Sequence, residues 1–389
     1  MKLNINNFCR YLIKTDNLYT PEKIEGNVYI EVRDAKIKHL AFDKPDENIE
    51  MLDLTGYIVS PGFIDVHIHG YGDHDTMEGT EEAISSMAKG LAKRGVTSFL
   101  PTTVAAPITE LERVISVSPQ LDSIEGAKPL GFHLEGPFLN KQVPGAMDPN
   151  LIDEETSIKK VSTLLDSGKI IMITIAPEVA NNLEIIEFLV SNGVNVSLGH
   201  TATDYETAVK AFAKGATSIT HFFNAMKPFQ HRAPGLVGAG MLYPFYLQFI
   251  ADGVHTHKAT IQIMSKFFKD KLVLITDAMM AAGLDKPGKY TLGDFTIVVD
   301  EISARLENGT LAGSILTMDR GVRNLIEFGG LNLSEALRCA STNPAKSICV
   351  KDRGSIKKDN FADFVVLDKN TLQVVATIRE GKVIYAKEN

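Results

Sequence analysis

Pro61-Gly62-Phe63-Ile64-Asp65-Val66-His67-Ile68-His69-Gly70 is a short apolar run that ends in two histidines and a glycine. In an extended strand residues i and i+2 point to the same side, so His67 and His69 aim their imidazoles at one place, with Asp65 on the same face. Such a pair suits either a metal ion or a hydrogen-bonded structural role. What decides the fold is that the arrangement recurs. Apolar runs end near Val66, Leu100, Leu134, Ile175, Leu198, Thr220, Ile250 and Ile275, and segments of helical period fall between them. This alternation predicts parallel strands covered by helices, and eight such units in about 250 residues is the size of a (β/α)₈ TIM-type barrel in the α/β class.

Helices expected over 81–94, 182–191 and 204–214 run into Gly95, Gly193 and Gly215, where a C-cap belongs, and Asp204 suits an N-cap. Outside the barrel the texture changes to short alternating stretches, at 27–32 and 35–40 and again at 364–368, 374–379 and 382–385. The chain is therefore expected to divide into 1–58 and 351–389, which together build one small β domain, and 59–350, the barrel.

Composition narrows the class of function. The 389 residues are 44% hydrophobic and 23% charged, as in an ordinary globular protein with a large core. Forty basic against 48 acidic residues give a net charge of −8 with no basic stripe, which argues against nucleic acid as a partner. No apolar stretch reaches the roughly 18 residues of a spanning helix, and residues 1–16 lack the apolar segment of a signal peptide. No membrane contact and a cytoplasmic location are the expectation. Cys9, Cys339 and Cys349 are too few and too scattered for a disulfide framework.

Metal-capable residues follow the ends of the predicted strands: His67 and His69 after the first, Glu135 after the third, His200 after the fifth, His221 after the sixth and Asp277 after the eighth. The C-terminal ends of barrel strands form the catalytic face. Glu135 precedes Gly136-Pro137, which turns the chain as the carboxylate leaves the strand. One carboxylate with imidazoles suits Zn²⁺ or Fe²⁺ better than Mg²⁺ or Ca²⁺. Asp277, ending a strongly apolar run, can serve as general base and acid beside a metal-activated water, or simply cap the next helix. His74, His133, His231 and His257 are assigned no direct role, although His133, two residues before Glu135, is placed to orient the site.

The motifs HIHG, FHLEGPF, LGHT, THFFNAM, HRAPG, ADGVH, LITDAM and LAGS occur in this order over nearly the whole chain. In this the sequence resembles the N-acetylglucosamine-6-phosphate deacetylases of the amidohydrolase superfamily. The resemblance implies a barrel with a small β-sandwich, and hydrolysis of N-acetyl-D-glucosamine 6-phosphate to glucosamine 6-phosphate and acetate. It implies that Glu135, His200 and His221 hold the catalytic metal, that Asp277 is the general base and acid, and that His67 and His69 can hold a second divalent ion, giving one or two per subunit. It points to Ala146, Asn224, Ala225, Arg232, Asp252, Gly253, Val254, His255, Leu311, Ala312 and Gly313 for the phosphorylated amino sugar, with Arg232 supplied across a homodimer interface.

One departure stands out. Relatives commonly carry a polar side chain after the Gly-Ala that follows the LEGP loop, whereas here Gly145-Ala146 is followed by Met147, which donates no hydrogen bond. N-acetylgalactosamine 6-phosphate or a cyclic amide is the alternative substrate that this leaves open. A barrel that binds a sugar phosphate without turning it over is the alternative of another class.

Overall fold

The structure, a computed structural model, describes residues 5, 9–20, 22–45, 48–284, 286–292 and 295–388. The reading of residues 1–16 as lacking a leader falls, at 1–4 and 6–8, outside this set. Every residue of Phe63–Ile68 (β1) is buried, as a strand covered on both faces requires. The other barrel strands are Val96–Thr103 (β2), Phe132–Glu135 (β3), Ile170–Ile175 (β4), Asn195–Leu198 (β5), Ser218–Ile219 (β6), Tyr246–Phe249 (β7) and Leu272–Leu274 (β8). Each pairs in parallel with the next. The ring closes where Asp277 N–H donates to the His67 carbonyl at 3.0 Å and His69 N–H donates to that of Ala278 at 2.9 Å. These are the eight expected strands, each within a few residues of its predicted end.

Between strands the helices follow their sequence signals. Glu81–Ala92 starts at Thr80, whose hydroxyl accepts from Ala83 N–H at 3.2 Å, and Tyr205–Ala213 starts at Asp204, which accepts from Thr207 N–H at 2.7 Å. Gly95 and Gly215 beyond them have φ of 82° and 102°, a left-handed conformation that favours glycine. The helices bury Ile84, Leu91, Ile185 and Leu189 against Phe63, Phe99, Leu134 and Ile173 of the strands. Each fully buried Leu or Ile contributes about 1.5–3 kcal/mol, which holds the barrel rigid beneath its rim.

The two ends of the chain meet in one antiparallel and parallel sheet. Its order runs Lys382–Ala386, Val374–Arg379, Phe364–Asp368, Tyr57–Pro61, Arg10–Tyr19, Lys23–Arg33, Lys36–Ala41, with Met51–Asp53 alongside Arg10–Tyr19. The expected sandwich is thus a single hydrogen-bonded path of strands, and the Tyr11 hydroxyl donates at 2.7 Å to the carbonyl of Gly381, in the turn between Val374–Arg379 and Lys382–Ala386. Ile13, Val28, Ile30, Val59, Phe364 and Ile378 pack together in the core of this domain. Tyr57–Pro61 spans the expected junction at 58/59 and pairs with Phe364–Asp368, which clamps the small domain to the start of β1. Not foreseen was a three-stranded sheet, Gly288–Leu292, Phe295–Val299 and Ala304–Leu306, inserted after β8. Its buried Ile297, Val299 and Ala304 pack with Met279 and Ala312, which carries the following loop onto the rim of the barrel. No helix among the described residues is long and apolar enough to cross a membrane.

Candidate metal centre

His67 and His69 leave β1 together, as the two-residue repeat requires, and Glu135 is the last residue of β3. The remaining groups stand just past strand ends with left-handed backbones: His200 at φ 46°, His221 at 26° and Asp277 at 50°. Non-glycine residues held there cost about 1–3 kcal/mol each, and persist where the surroundings over-determine them. Gly199, beside His200, admits a neighbour that no other residue would. A Cβ at that position would lie 2.7 Å from Thr220 Cβ and 2.8 Å from Thr174 Cγ2.

The four imidazoles turn the same edge inward. His69, His200 and His221 direct Nδ1 at the carbonyls of Thr102, Val143 and Asn224 at 3.1, 3.2 and 3.2 Å. Since a carbonyl only accepts, each Nδ1 carries a proton, which leaves Nε2 as the atom that each ring offers to a metal ion in the centre. His67 does likewise, donating from Nδ1 to Gln248 Oε1 at 3.0 Å. The Nε2 atoms of His67 and His69 are 3.2 Å apart, and those of His200 and His221 are 3.0 Å apart. Glu135 Oε1 lies 3.0 Å from His221 Nε2 and 3.3 Å from His200 Nε2, and Oε2 lies 3.3 Å from His69 Nε2.

Lone pairs converging at this range repel unless a cation lies between them. Buried Glu135 Oε1 has no hydrogen-bond partner. The residues therefore fit a divalent ion in two groups that share one carboxylate: Glu135, His200 and His221, and His67, His69 and Glu135. Asp277 Oδ1 completes the rim, 3.2 Å from His69 Nε2 and 3.3 Å from His67 Nε2. Burial works against its ionisation, while His67 and His69, where protonated, would pull its pKa down to about 2. Glu135 is driven well below the ordinary carboxylate range, with His67 and His200 overcoming burial. Burial, and then His67, hold His133 well below the usual histidine range.

Over these groups opens a cavity of about 230 Å³, lined by His69, Glu135, His200, His221 and Asp277 below and by Ala146, Asn224, Ala225, His255, Leu311 and Gly313 at the sides. Most of the residues expected to meet substrate thus face one space. Asp252 stands behind them: its carboxylate accepts from the N–H groups of Val254 and His255 and, at 2.7 Å, from His255 Nδ1, which turns Nε2 of that ring outward. Gly253, Val254 and Ala312 do not line the cavity, and Ala312 is fully buried. Arg232 lies apart, exposed in the loop 227–233. Met147 does line the cavity, beside Val104, and packs on Ala105, Leu139 and Ile152.

Residues 58–384 match the Amidohydrolase family model. Over 384 residues the chain is 35% identical to the N-acetylglucosamine-6-phosphate deacetylase of Lysinibacillus sphaericus, covering 97% of this chain and 98% of that one. The chain belongs to the N-acetylglucosamine-6-phosphate deacetylases of the amidohydrolase family. Among solved structures of these deacetylases, a mutant from Mycobacterium smegmatis in complex with N-acetyl-D-glucosamine-6-phosphate superimposes with a TM-score of 0.91 at 31% identity, over 97% of this chain and 100% of that one. The deacetylase from Pasteurella multocida gives 0.92 at 31% identity, over the same shares. As in the family, the chain is a hydrolase on a barrel with a sheet domain from its termini.

Several residues that shape this deacetylase site carried no motif. Gln248 had a signal, being one amide inside the apolar strand Tyr246–Phe249, and it is fully buried against His67. Glu178 had none. Its carboxylate accepts from Asn140 Nδ2 at 2.7 Å and from the Thr201 hydroxyl at 2.5 Å, which ties together the two loops flanking His200. Only the fold brings those three positions into contact.

Proposed function

We propose that this chain hydrolyses the acetamide of N-acetyl-D-glucosamine 6-phosphate to glucosamine 6-phosphate and acetate, with Glu135, His200 and His221 holding a divalent ion, Zn²⁺ or Fe²⁺. The observation that carries the reading is the partnerless, buried Glu135 Oε1 among imidazole Nε2 atoms, with the Asp277 carboxylate lining the same cavity. When bound, the ion acts as a Lewis acid on the amide carbonyl and makes water more acidic. Asp277, ionised at neutral pH, takes the proton of the attacking water at its carboxylate and then gives it to the departing amine. His67 and His69, sharing Glu135, have the geometry for a second ion. Ala146, Asn224, Ala225, Leu311 and Gly313 enclose the sugar, while Asp252 orients His255 to meet its polar groups.

The phosphate needs a fixed cation, and the exposed Arg232 is suited to that role from across a homodimer interface, each subunit completing its partner's cavity. Within a cell we assign the protein to the cytoplasm. The decisive assay measures acetate release from N-acetylglucosamine 6-phosphate, N-acetylgalactosamine 6-phosphate and their unphosphorylated forms. Cleavage of the gluco phosphate is expected to be the fastest; equal rates with and without the phosphate would refute the substrate assignment.

A further inference from the structure

His133 and the hydroxyls of Thr174, Thr220 and Ser197 are all fully buried, and none of them lines the cavity. They nevertheless form one connected line inside the barrel. His133 Nδ1 contacts the Val66 carbonyl at 3.0 Å, and its Nε2 contacts Thr174 Oγ1 at 2.8 Å. Thr174 Oγ1 contacts Thr220 Oγ1 at 2.8 Å, and Thr220 Oγ1 contacts Ser197 Oγ at 2.6 Å.

The direction of every bond follows from one end. The Val66 carbonyl only accepts, so His133 donates from Nδ1, and a neutral ring then accepts at Nε2. Thr174 must therefore donate to His133 and accept from Thr220, which in turn accepts from Ser197. Each hydroxyl has one proton, and each proton is committed.

The line crosses β5, β6, β4, β3 and β1 at positions tied to the metal centre. Val66 immediately precedes His67, His133 stands two residues before Glu135, Thr220 immediately precedes His221, and Ser197 stands three residues before His200. The His133 ring also packs edge-on against His67, with centroids 4.7 Å apart.

We infer that His133 is a positioning residue, anchoring a one-way hydrogen-bond chain through Thr174, Thr220 and Ser197 that sets the spacing of the strands bearing His67, Glu135, His200 and His221. The inference rests on the metal-centre reading above. Its physical basis is that buried hydroxyls and imidazoles are costly to leave unpaired, so the chain fixes strand positions more sharply than apolar packing would. Groups behind metal ligands typically change metal affinity about 10- to 100-fold when removed.

The test uses the full-length chain stripped of metal, with zinc affinity measured by competition against a chromophoric chelator, alongside kcat and KM for acetate release. His133→Leu is expected to weaken zinc binding about 10- to 100-fold and to lower kcat, with KM little changed. His133→Gln keeps a donor and an acceptor on one planar group and is expected to restore most of the loss. Should His133→Leu not fold, Thr174→Val, which keeps the volume and removes the hydroxyl, is expected to weaken zinc binding in the same direction. Parent-like zinc affinity in folded His133→Leu or in Thr174→Val overturns the inference, as do equal losses in the Gln and Leu variants, which would mean ring packing alone. A parent protein that binds no zinc overturns the metal-centre reading, and this inference with it.

Discussion

Replacing Asp277 by asparagine separates proton transfer from metal holding. The change is nearly isosteric, and asparagine tolerates the left-handed backbone that Asp277 adopts at φ 50°, so the turn after β8 is left unstrained. Glu135, His200 and His221 converge without help from Asp277, so the zinc content should stay at the parent's level. What is lost, on the proposed mechanism, is the carboxylate that would take a proton from water and return it to the amine. A carboxyl group of ordinary pKa, about 3.9, is a carboxylate at neutral pH, whereas the amide has no basic site. General acid–base catalysis contributes about 10²- to 10⁴-fold, and one group serving both steps should show a loss across that range, equivalent to about 3–5 kcal/mol of barrier. Steady-state acetate release from zinc-loaded protein, with elemental analysis of the same samples, measures both quantities. A kcat within tenfold of the parent would refute the role of Asp277. Loss of zinc together with activity would make Asp277 a ligand and refute the separation.

Glu135→Gln should weaken zinc binding at least tenfold by chelator competition, since it removes the carboxylate shared by both ligand groups; unchanged affinity would count against the centre. Removing the metal with a chelator should lower Tm, because a ligand bound only to the folded state adds about 4 kcal/mol at a thousandfold excess over its Kd; an unchanged Tm in calorimetry would contradict this. Arg232→Ala should raise KM for the phosphorylated substrate and leave KM for the unphosphorylated one unaltered, whereas an equal effect on both would exclude phosphate contact. In the small domain Arg353, 7% exposed, bonds Asp363 and Glu380, and Arg353→Met should cost about 3–5 kcal/mol in urea unfolding by leaving the buried Asp363 carboxylate without its cation. A loss below about 1 kcal/mol would contradict that burial.

The barrel was legible because its signal is local. A strand buried on both faces is mostly apolar, so Phe63, Ile64, Val66 and Ile68 around Asp65 and His67, and Ile170–Ile175 with its single Thr174, announce themselves, and glycines such as Gly95 mark helix ends by the conformation they alone adopt readily. The strand Arg10–Tyr19 was harder to read, since Lys14, Thr15, Asp16 and Asn17 interrupt its apolar pattern while pairing on both sides determines its state. The insert 288–306 was missed for a similar reason: its short strands are held by contacts with Met279 and Ala312 rather than by a long repeat.

For the site, the sequence by itself determined which residue types end each strand, because the barrel's geometry delivers strand-end side chains to one rim. His67, His69, Glu135, His200, His221 and Asp277 needed no more than that. Only the tertiary structure decided how these groups are held: Nδ1 of His67 on Gln248, Asp252 behind His255, Glu178 between two loops, and the ordered line from Ser197 to His133. Those partners are separated from the groups they orient by anything from three to 181 positions. No periodicity in the chain records such pairings; hydrogen-bond direction and distance exist only once the strands stand side by side.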